Sequence, residues 1–348
     1  TGDGIDKNDL AAEVEIYGNL IYNVGWDDRT NGLQQGGTGH GMYAANSLGF
    51  FKAYNNIIVN SFGFGFHAYS AGSAHLDGMD VQGNVAADNG YWTRINDSSY
   101  APEGRTTTNF LIGYRPIPNL TFRNNFGFHR EGRGGMNAEL GYSNVDSPGP
   151  AVITDNTLVG GTNSISRFAS VAFSNNFIAS NWTALYYNAP VTIVQRLIDG
   201  NTYYYYPTSC ARPPFNAPEG TDKTVTEWRA MGFDSTGIFP LCGTRPSAVK
   251  ISVLTNVYDP NRAHIVINNF NRNSGVAVDL SPVLKAGDSF EIRNAQDYFG
   301  TPILSGIYAN APVLIPMANL NVARPTGWTG AMIPSSAPDF GIFIVLKK

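Results

Sequence analysis

Over roughly the first two hundred residues, apolar and polar positions alternate in short runs, each broken by an asparagine and then resumed. Seven segments share the pattern: VEIYGNLIY around Asn19, FKAYNNIIV around Asn56, MDVQGNVAA around Asn84, LTFRNNFGF around Asn125, AVITDNTLV around Asn156, VAFSNNFIA around Asn176 and RLIDGNTYY around Asn201. Three residues before each asparagine stands an apolar side chain: Ile16, Ala53, Val81, Phe122, Ile153, Phe173 and Ile198. The flanking positions are mostly polar, among them Glu15, Lys52, Asp80, Gln82, Thr121, Arg123 and Asp199. Successive strand side chains face opposite ways, so the apolar column points into a core and its neighbours into water. Each asparagine follows Gly, Asn or Asp, residue types that accept the backbone of a sharp turn. Coils stacked about 4.8 Å apart bring these amides into a hydrogen-bonded ladder, which assigns them to the scaffold rather than to chemistry.

The asparagines are separated by 37, 28, 41, 31, 20 and 25 residues, so the short intervals approximate bare coils and the long ones hold insertions. Asp27 to Gly37 and Tyr91 to Thr106, rich in Asp, Arg, Asn, Gly and Ser, are the insertions expected to project as loops and build binding walls. The prediction is an all-β chain: a right-handed parallel β-helix over residues 1–207, a connector over 208–247, and an antiparallel β-sandwich accessory domain over 248–348.

The connector opens with the Pro-rich PTSCARPPFNAPEG, which cannot continue a ladder of backbone hydrogen bonds. In TVTEWRAMGF a short helix is expected, capped by Thr224 or Thr226 and placed to cover the open end of the coil. Beyond Lys250 come KISVLTNVY, AHIVINNF, GVAVDLS, DSFEIRNA, APVLIPM and GIFIVLKK, short strands separated by turn residues.

Composition narrows the function classes. Charged residues make up 14% of the chain and the formal net charge is −4, with no basic run to give a nucleic-acid footprint. No apolar stretch reaches the roughly 20 residues of a membrane span. Cys210 and Cys242, 32 residues apart and outside any CxxC or zinc spacing, are expected to form a disulfide. That bond fits a secreted, cell-surface or periplasmic protein. The chain opens on Thr1 without a signal peptide, as a processed chain lacking part of its first coil would.

The G-N-x-apolar and N-N-x-apolar turns resemble those of the pectin-lyase-like superfamily of parallel β-helices, over about residues 10–207. GHGMYAANS, FGFGFHAYS and TVTEWRAMGFDS are similar to segments of secreted bacterial β-helix proteins. The resemblance implies a polysaccharide partner. It leaves the reaction open, since that superfamily holds lyases, hydrolases, epimerases and adhesins.

A second alignment supplies candidate chemistry. GHGMYAAN, GFGFHAYS, TTNFLIGY, GMNAELGY and NSISRFAS match with Met42, Phe66, Phe110, Ala138 and Ser166 pointing inward. The residues after them, Tyr43, His67, Leu111, Glu139 and Arg167, then form an exposed ribbon, joined by Tyr69. His67 or Tyr69 is the expected base, and Arg167 or His40, the latter on the flanking turn, the group stabilising the carboxylate charge. Glu139 is read as an acid, a calcium ligand or an ion-pair partner, and Arg167 as a uronate-binding fork or the partner of Glu139. Tyr43 and Tyr69 offer faces for sugar rings, or simply cover coil edges. His129, Arg130, Glu131 and Arg133 form a further polar cluster, in which His129 and Arg133 are read as substrate-binding. His75, Asp77 and Asp80 make a weak metal corner, so no metal site is assigned and calcium is the one cofactor left open. Three functions fit: a polysaccharide lyase acting by β-elimination on a uronate glycan, a glycoside hydrolase pairing Glu139 with a second carboxylate, or a non-catalytic glycan-binding protein.

Overall fold

The residue before each ladder asparagine lies in the left-handed region: φ is 66° at Gly18, 52° at Asn55, 65° at Gly83, 53° at Asn124, 60° at Asp155, 56° at Asn175 and 73° at Gly200. One residue of this kind swings the chain out of one strand and into the next, and only Gly, Asn and Asp take it at low cost. The computed structural model describes residues 3–10, 13–27, 37–69, 75–92, 108–131, 135–142, 145–217 and 220–348. The chain folds into two compact units, Thr1–Arg245 and Pro246–Lys348.

The first unit is a parallel β-helix with three sheets. Before the asparagine turn run Val14–Tyr17, Phe51–Tyr54, Met79–Gln82, Leu120–Arg123, Ala151–Thr154, Ser170–Ser174 and Gln195–Asp199, all parallel. After it run Leu20–Tyr22, Ile57–Val59, Val85–Ala87, Phe126–Phe128, Thr157–Val159, Phe177–Ser180 and Thr202–Tyr205. The remaining sheet stacks Ile5–Leu10, Met42–Asn46, Phe66–Tyr69, Phe110–Gly113, Met136–Tyr142, Thr162–Ser166 and Leu185–Asn188, then ends on Phe215–Asn216 and antiparallel Asp222–Lys223. Because it carries the candidate residues, it is called the site sheet below.

The column expected inside is inside. Ile16, Ala53, Val81, Phe122, Ile153, Phe173 and Ile198 are register partners from coil to coil. All but the half-buried Ile16 belong to the buried core cluster. Beside them the amide ladder runs unbroken, Asn19 Nδ2 donating to Asn56 Oδ1 at 2.9 Å, and so on through Asn84, Asn125, Asn156, Asn176 and Asn201 at 2.8–3.2 Å. A second, shorter ladder links Asn89, Asn109 and Asn137 at 2.9 and 3.0 Å, and Asn137 donates to the Val159 carbonyl.

The end of the long ladder is closed by the connector. Asn201 Nδ2 donates to Asp234 Oδ1 at 2.8 Å, while Tyr203 Oη and Trp228 Nε1 donate to Oδ2 at 3.0 and 2.8 Å. Trp228 sits on the helix Val225–Ala230, which Thr224 caps with Glu227 in a reciprocal capping box. Its ring is fully buried and stacks on Phe215 at 4.4 Å. Cys210 and Cys242 are joined in a disulfide that ties this segment together.

The second unit is antiparallel. Its five-stranded sheet runs Lys250–Thr255, Arg262–Asn268, Phe340–Lys347, Ser289–Asn294 and Leu304–Ile307, with a separate pair Gly275–Val278 and Val313–Pro316. Ile265, Ile267, Val276, Ile292, Ile315 and Phe343 fill the core between them. Leu304–Ile307 is a strand beyond those read from sequence. Among the described residues no helix is long and apolar enough to cross a membrane.

Candidate functional site

Strand register on the site sheet places Asp6, Tyr43, His67, Leu111, Glu139, Ser164 and Tyr186 in one column. Their sequence neighbours Met42, Phe66, Ala68, Phe110, Ala138, Leu140 and Ile165 lie in the core, so the column faces away from it. His67 and Glu139 therefore share one face, two rows and about 10 Å apart. The expectation of an exposed ribbon needs correction: His67 is 7% exposed and Glu139 6%. Alternation tells which face a side chain takes, not what covers that face. The expected projecting loops fall largely on residues 28–36 and 93–106, outside the described residues.

Aromatic rings enclose His67. Ring centroids of His40, Phe64, Tyr69 and Tyr43 stand 4.3, 4.7, 5.0 and 5.2 Å from its own. His40 is held on the flanking turn from two sides. Its backbone N–H donates to Asp3 Oδ1 at 2.7 Å, and the Phe64 N–H donates to His40 Nδ1 at 3.1 Å. Since Nδ1 accepts, the proton of the neutral His40 ring sits on Nε2. His67 Nδ1 is buried and has no hydrogen-bond partner among the described residues.

These surroundings push acids and bases in opposite directions. Burial, assisted by His40, holds His67 well below the usual imidazole range. Burial also lowers His40, against the pull of Asp3. Tyr43 and Tyr69 are raised, again chiefly by burial, then by Tyr69 for the former and by Tyr114 for the latter. A neutral imidazole thus stands beside phenols that keep their protons.

Arg167 leaves the ribbon. The sequence alignment set Ser166 opposite Ala138, but Ala138 pairs with Asn163 and Glu139 with Ser164, a shift of three residues. An odd shift inverts every face. One residue of that shift comes from Asn137, an extra residue between the Met136–Thr162 and Ala138–Asn163 pairs that turns an even displacement into an odd one. Ser166, expected inward, points out with Ser164, its Oγ 3.1 Å from that of Ser164 and accepting from Asn188 Nδ2 at 3.0 Å. Arg167 turns the corner at φ 62° and pairs with Asp146 at 2.8 Å rather than with Glu139.

The cluster before the Glu139 strand also serves the fold. His129 is buried, with Nε2 3.2 Å from the Met136 carbonyl, and so is not a surface sugar contact. Arg130 pairs with buried Asp88 at 2.6 Å, and Glu131 with Arg245. Arg133 lies outside the described residues. In the proposed metal corner, His75 and Asp77 form an exposed pair at 3.7 Å while Asp80 is engaged by Tyr54 and Gln82. Among the described residues no three His, Cys, Asp or Glu side chains converge to hold a metal ion.

The sequence reading missed Tyr114 and Arg115, which follow the Phe110–Gly113 strand directly. Tyr69, Gly113 and Tyr142 are register partners, and the Tyr69 and Tyr114 rings lie 4.7 Å apart. The Arg115 guanidinium carbon is 6.0 Å from the Tyr114 ring centre, and Arg115 Nε is buried without a hydrogen-bond partner among the described residues. Tyr-Arg at the end of a ribbon strand was the available signal.

No protein-family model, no curated protein and no solved structure matches the chain.

Two results are expected from this geometry. A Cβ on residue 63 would stand 2.8 Å from His40 Nδ1 and 2.9 Å from the Gly39 carbonyl oxygen. Gly63→Ala should therefore shift the His40 ring nitrogen resonances in NMR and destabilise the fold by about 1–3 kcal/mol. Unchanged resonances would mean that residue 63 does not set the ring's position.

The second result is pH dependence. The unfolded chain protonates His67 near pH 6.5, whereas the folded protein resists protonation until well below that. Between the two values the unfolded state binds more protons, so stability rises with pH and is lost as pH falls through the window. Melting temperature against pH should be flatter for His67→Gln than for the wild type. His40 leaves some residual slope. Identical slopes would contradict the buried neutral ring.

Proposed function

We propose that this chain is an extracellular polysaccharide-active protein that cleaves a uronate-containing glycan by β-elimination on the site sheet. The observation that carries the reading is the His67–Tyr69 pair, with ring centroids 5.0 Å apart and proton affinities driven in opposite directions by burial. Elimination needs one group to take a proton and another to give one, and such a divergence assigns the two roles. His67 accepts the proton on the carbon next to the carboxylate. The released electron pair forms the ring double bond and expels the glycosidic oxygen, which the Tyr69 phenol protonates. Proton return from the imidazolium to the phenolate resets the site. His40, its proton fixed on Nε2 by the Phe64 N–H, acts as a donor rather than a second base.

Hydrolysis is less well supplied. It uses two carboxylates about 5–9.5 Å apart. On the column the next carboxylate from Glu139 is Asp6, four rows and about 19 Å away. The likeness of the asparagine turns to the pectin-lyase-like superfamily and the Cys210–Cys242 disulfide both support a secreted, glycan-directed protein.

The test is incubation with a panel of uronans, following ultraviolet absorbance and product mass. Unsaturated uronate ends are expected, and intact polymer across the panel would sink the reading. One observation favours a second reading, in which the ribbon binds glycan without cutting it: His67 is 7% exposed, so substrate must part the rings around it. Tight retention of intact polymer, unaltered in His67→Asn, would select binding alone.

A further inference from the structure

The corner after the Phe110–Gly113 strand is built at a cost that its packing does not explain. Tyr114 has φ 77°, a conformation that a bulky side chain adopts only when its surroundings hold it there. The Tyr114 N–H donates to the Tyr142 carbonyl, which fixes this conformation. Gly113 makes the approach feasible, since a Cβ there would lie 2.5 Å from the Tyr142 backbone nitrogen and oxygen. Tyr114 is nevertheless 43% exposed. Strain is thus spent on presenting an aromatic face rather than on burying one. Beside it, one edge of the Arg115 guanidinium fork, the buried Nε, has no hydrogen-bond partner among the described residues.

A buried unpaired guanidinium N–H is costly unless an acceptor arrives, and the side-on edge of the fork matches the two oxygens of a carboxylate or sulfate. The Tyr69 and Tyr114 rings, tilted 32° to each other, supply apolar faces of the kind a pyranose ring covers. We infer that Tyr69, Tyr114, Arg115 and Tyr142 form a subsite for an anionic sugar ring, the ring lying against Tyr114 and its charged group taken by Arg115. The inference rests on the reading that the site sheet carries glycan. It fills the anion-binding role that Arg167, committed to Asp146, does not. It adds that the bound sugar is charged where it meets Tyr69.

Equilibrium binding tests it without requiring cleavage. The full chain is titrated by calorimetry with three oligosaccharides of equal length: oligogalacturonate, sulfated oligogalactan and neutral oligogalactan. Tighter binding of one anionic ligand than of the neutral one is expected, and which one it is identifies the charged group. Arg115→Met should weaken that ligand about ten- to a hundredfold and leave the neutral one unchanged. Arg115→Lys, which keeps the charge but loses the fork, should fall between, and covers the case in which the methionine variant is unstable. Tyr114→Asn, able to hold the left-handed turn, should weaken all ligands that bind. Equal binding of charged and neutral ligands, or unchanged affinity in a folded Arg115→Met protein, would overturn the subsite. Charge-selective binding without any cleavage would remove the elimination reading and keep the subsite. Cleavage with an unaltered KM in Arg115→Met would do the reverse.

Discussion

His67→Asn is expected to lower the elimination rate between about a hundredfold and ten-thousandfold, while leaving the fold intact and raising its stability in mild acid. The two effects have one origin. The imidazole is surrounded by His40, Phe64, Tyr69 and Tyr43, and its Nδ1 meets no donor or acceptor among the described residues. Among the described residues removing it breaks no hydrogen bond of the scaffold, yet it removes the group proposed to receive the substrate proton. It also removes a base that resists protonation in the folded state but not in the unfolded one. Rates from unsaturated-product absorbance and melting curves at pH 5 to 8 separate the outcomes. Retained activity would move the base elsewhere. Lost activity accompanied by lost stability at every pH would mark a merely structural histidine.

Asp234→Ala is expected to destabilise the first unit by roughly 4 kcal/mol or more, read from denaturant unfolding. Four donors converge on this carboxylate: the Asn201 backbone N–H, Asn201 Nδ2, Tyr203 Oη and Trp228 Nε1. Its residue is fully buried, so a methyl group leaves these donors facing neither acceptor nor water. Fluorescence of Trp228 should report loosening of the cap before the coil unfolds. A change below about 1 kcal/mol would mean that the donors find other partners.

Much of the coil was legible because its constraints repeat. An apolar residue, a turn residue and an asparagine at constant spacing fixed the inner column, the bend and the ladder for every coil from Ile16 to Ile198. Features that occur once were not legible. Asp234 continues the ladder with a different residue type, from a segment outside the repeat. The second ladder was hidden because the insertion between Asn89 and Asn109 interrupts its period. The site was read less completely. Tyr43, His67 and Glu139 fell on one column because strands Met42–Asn46 to Met136–Tyr142 align without a slip in that column. Arg167 did not, because its strand pairs three residues away from the aligned position, and the extra residue at Asn137 that makes this displacement odd is invisible to alternation. Enclosure of His67 was likewise out of reach, since it depends on rings from the Gly39–His40 turn and on Phe64.

The amide row also has an electrical direction. Every ladder side chain turns its NH2 group toward the following coil and its oxygen toward the preceding one, so their small dipoles point the same way and reinforce. Asp234 therefore places an anion at the positive pole, and the opposite pole at Asn19 favours a donor or a cation. A coil joined at that pole fits only head to tail, because a reversed one would set oxygen against oxygen.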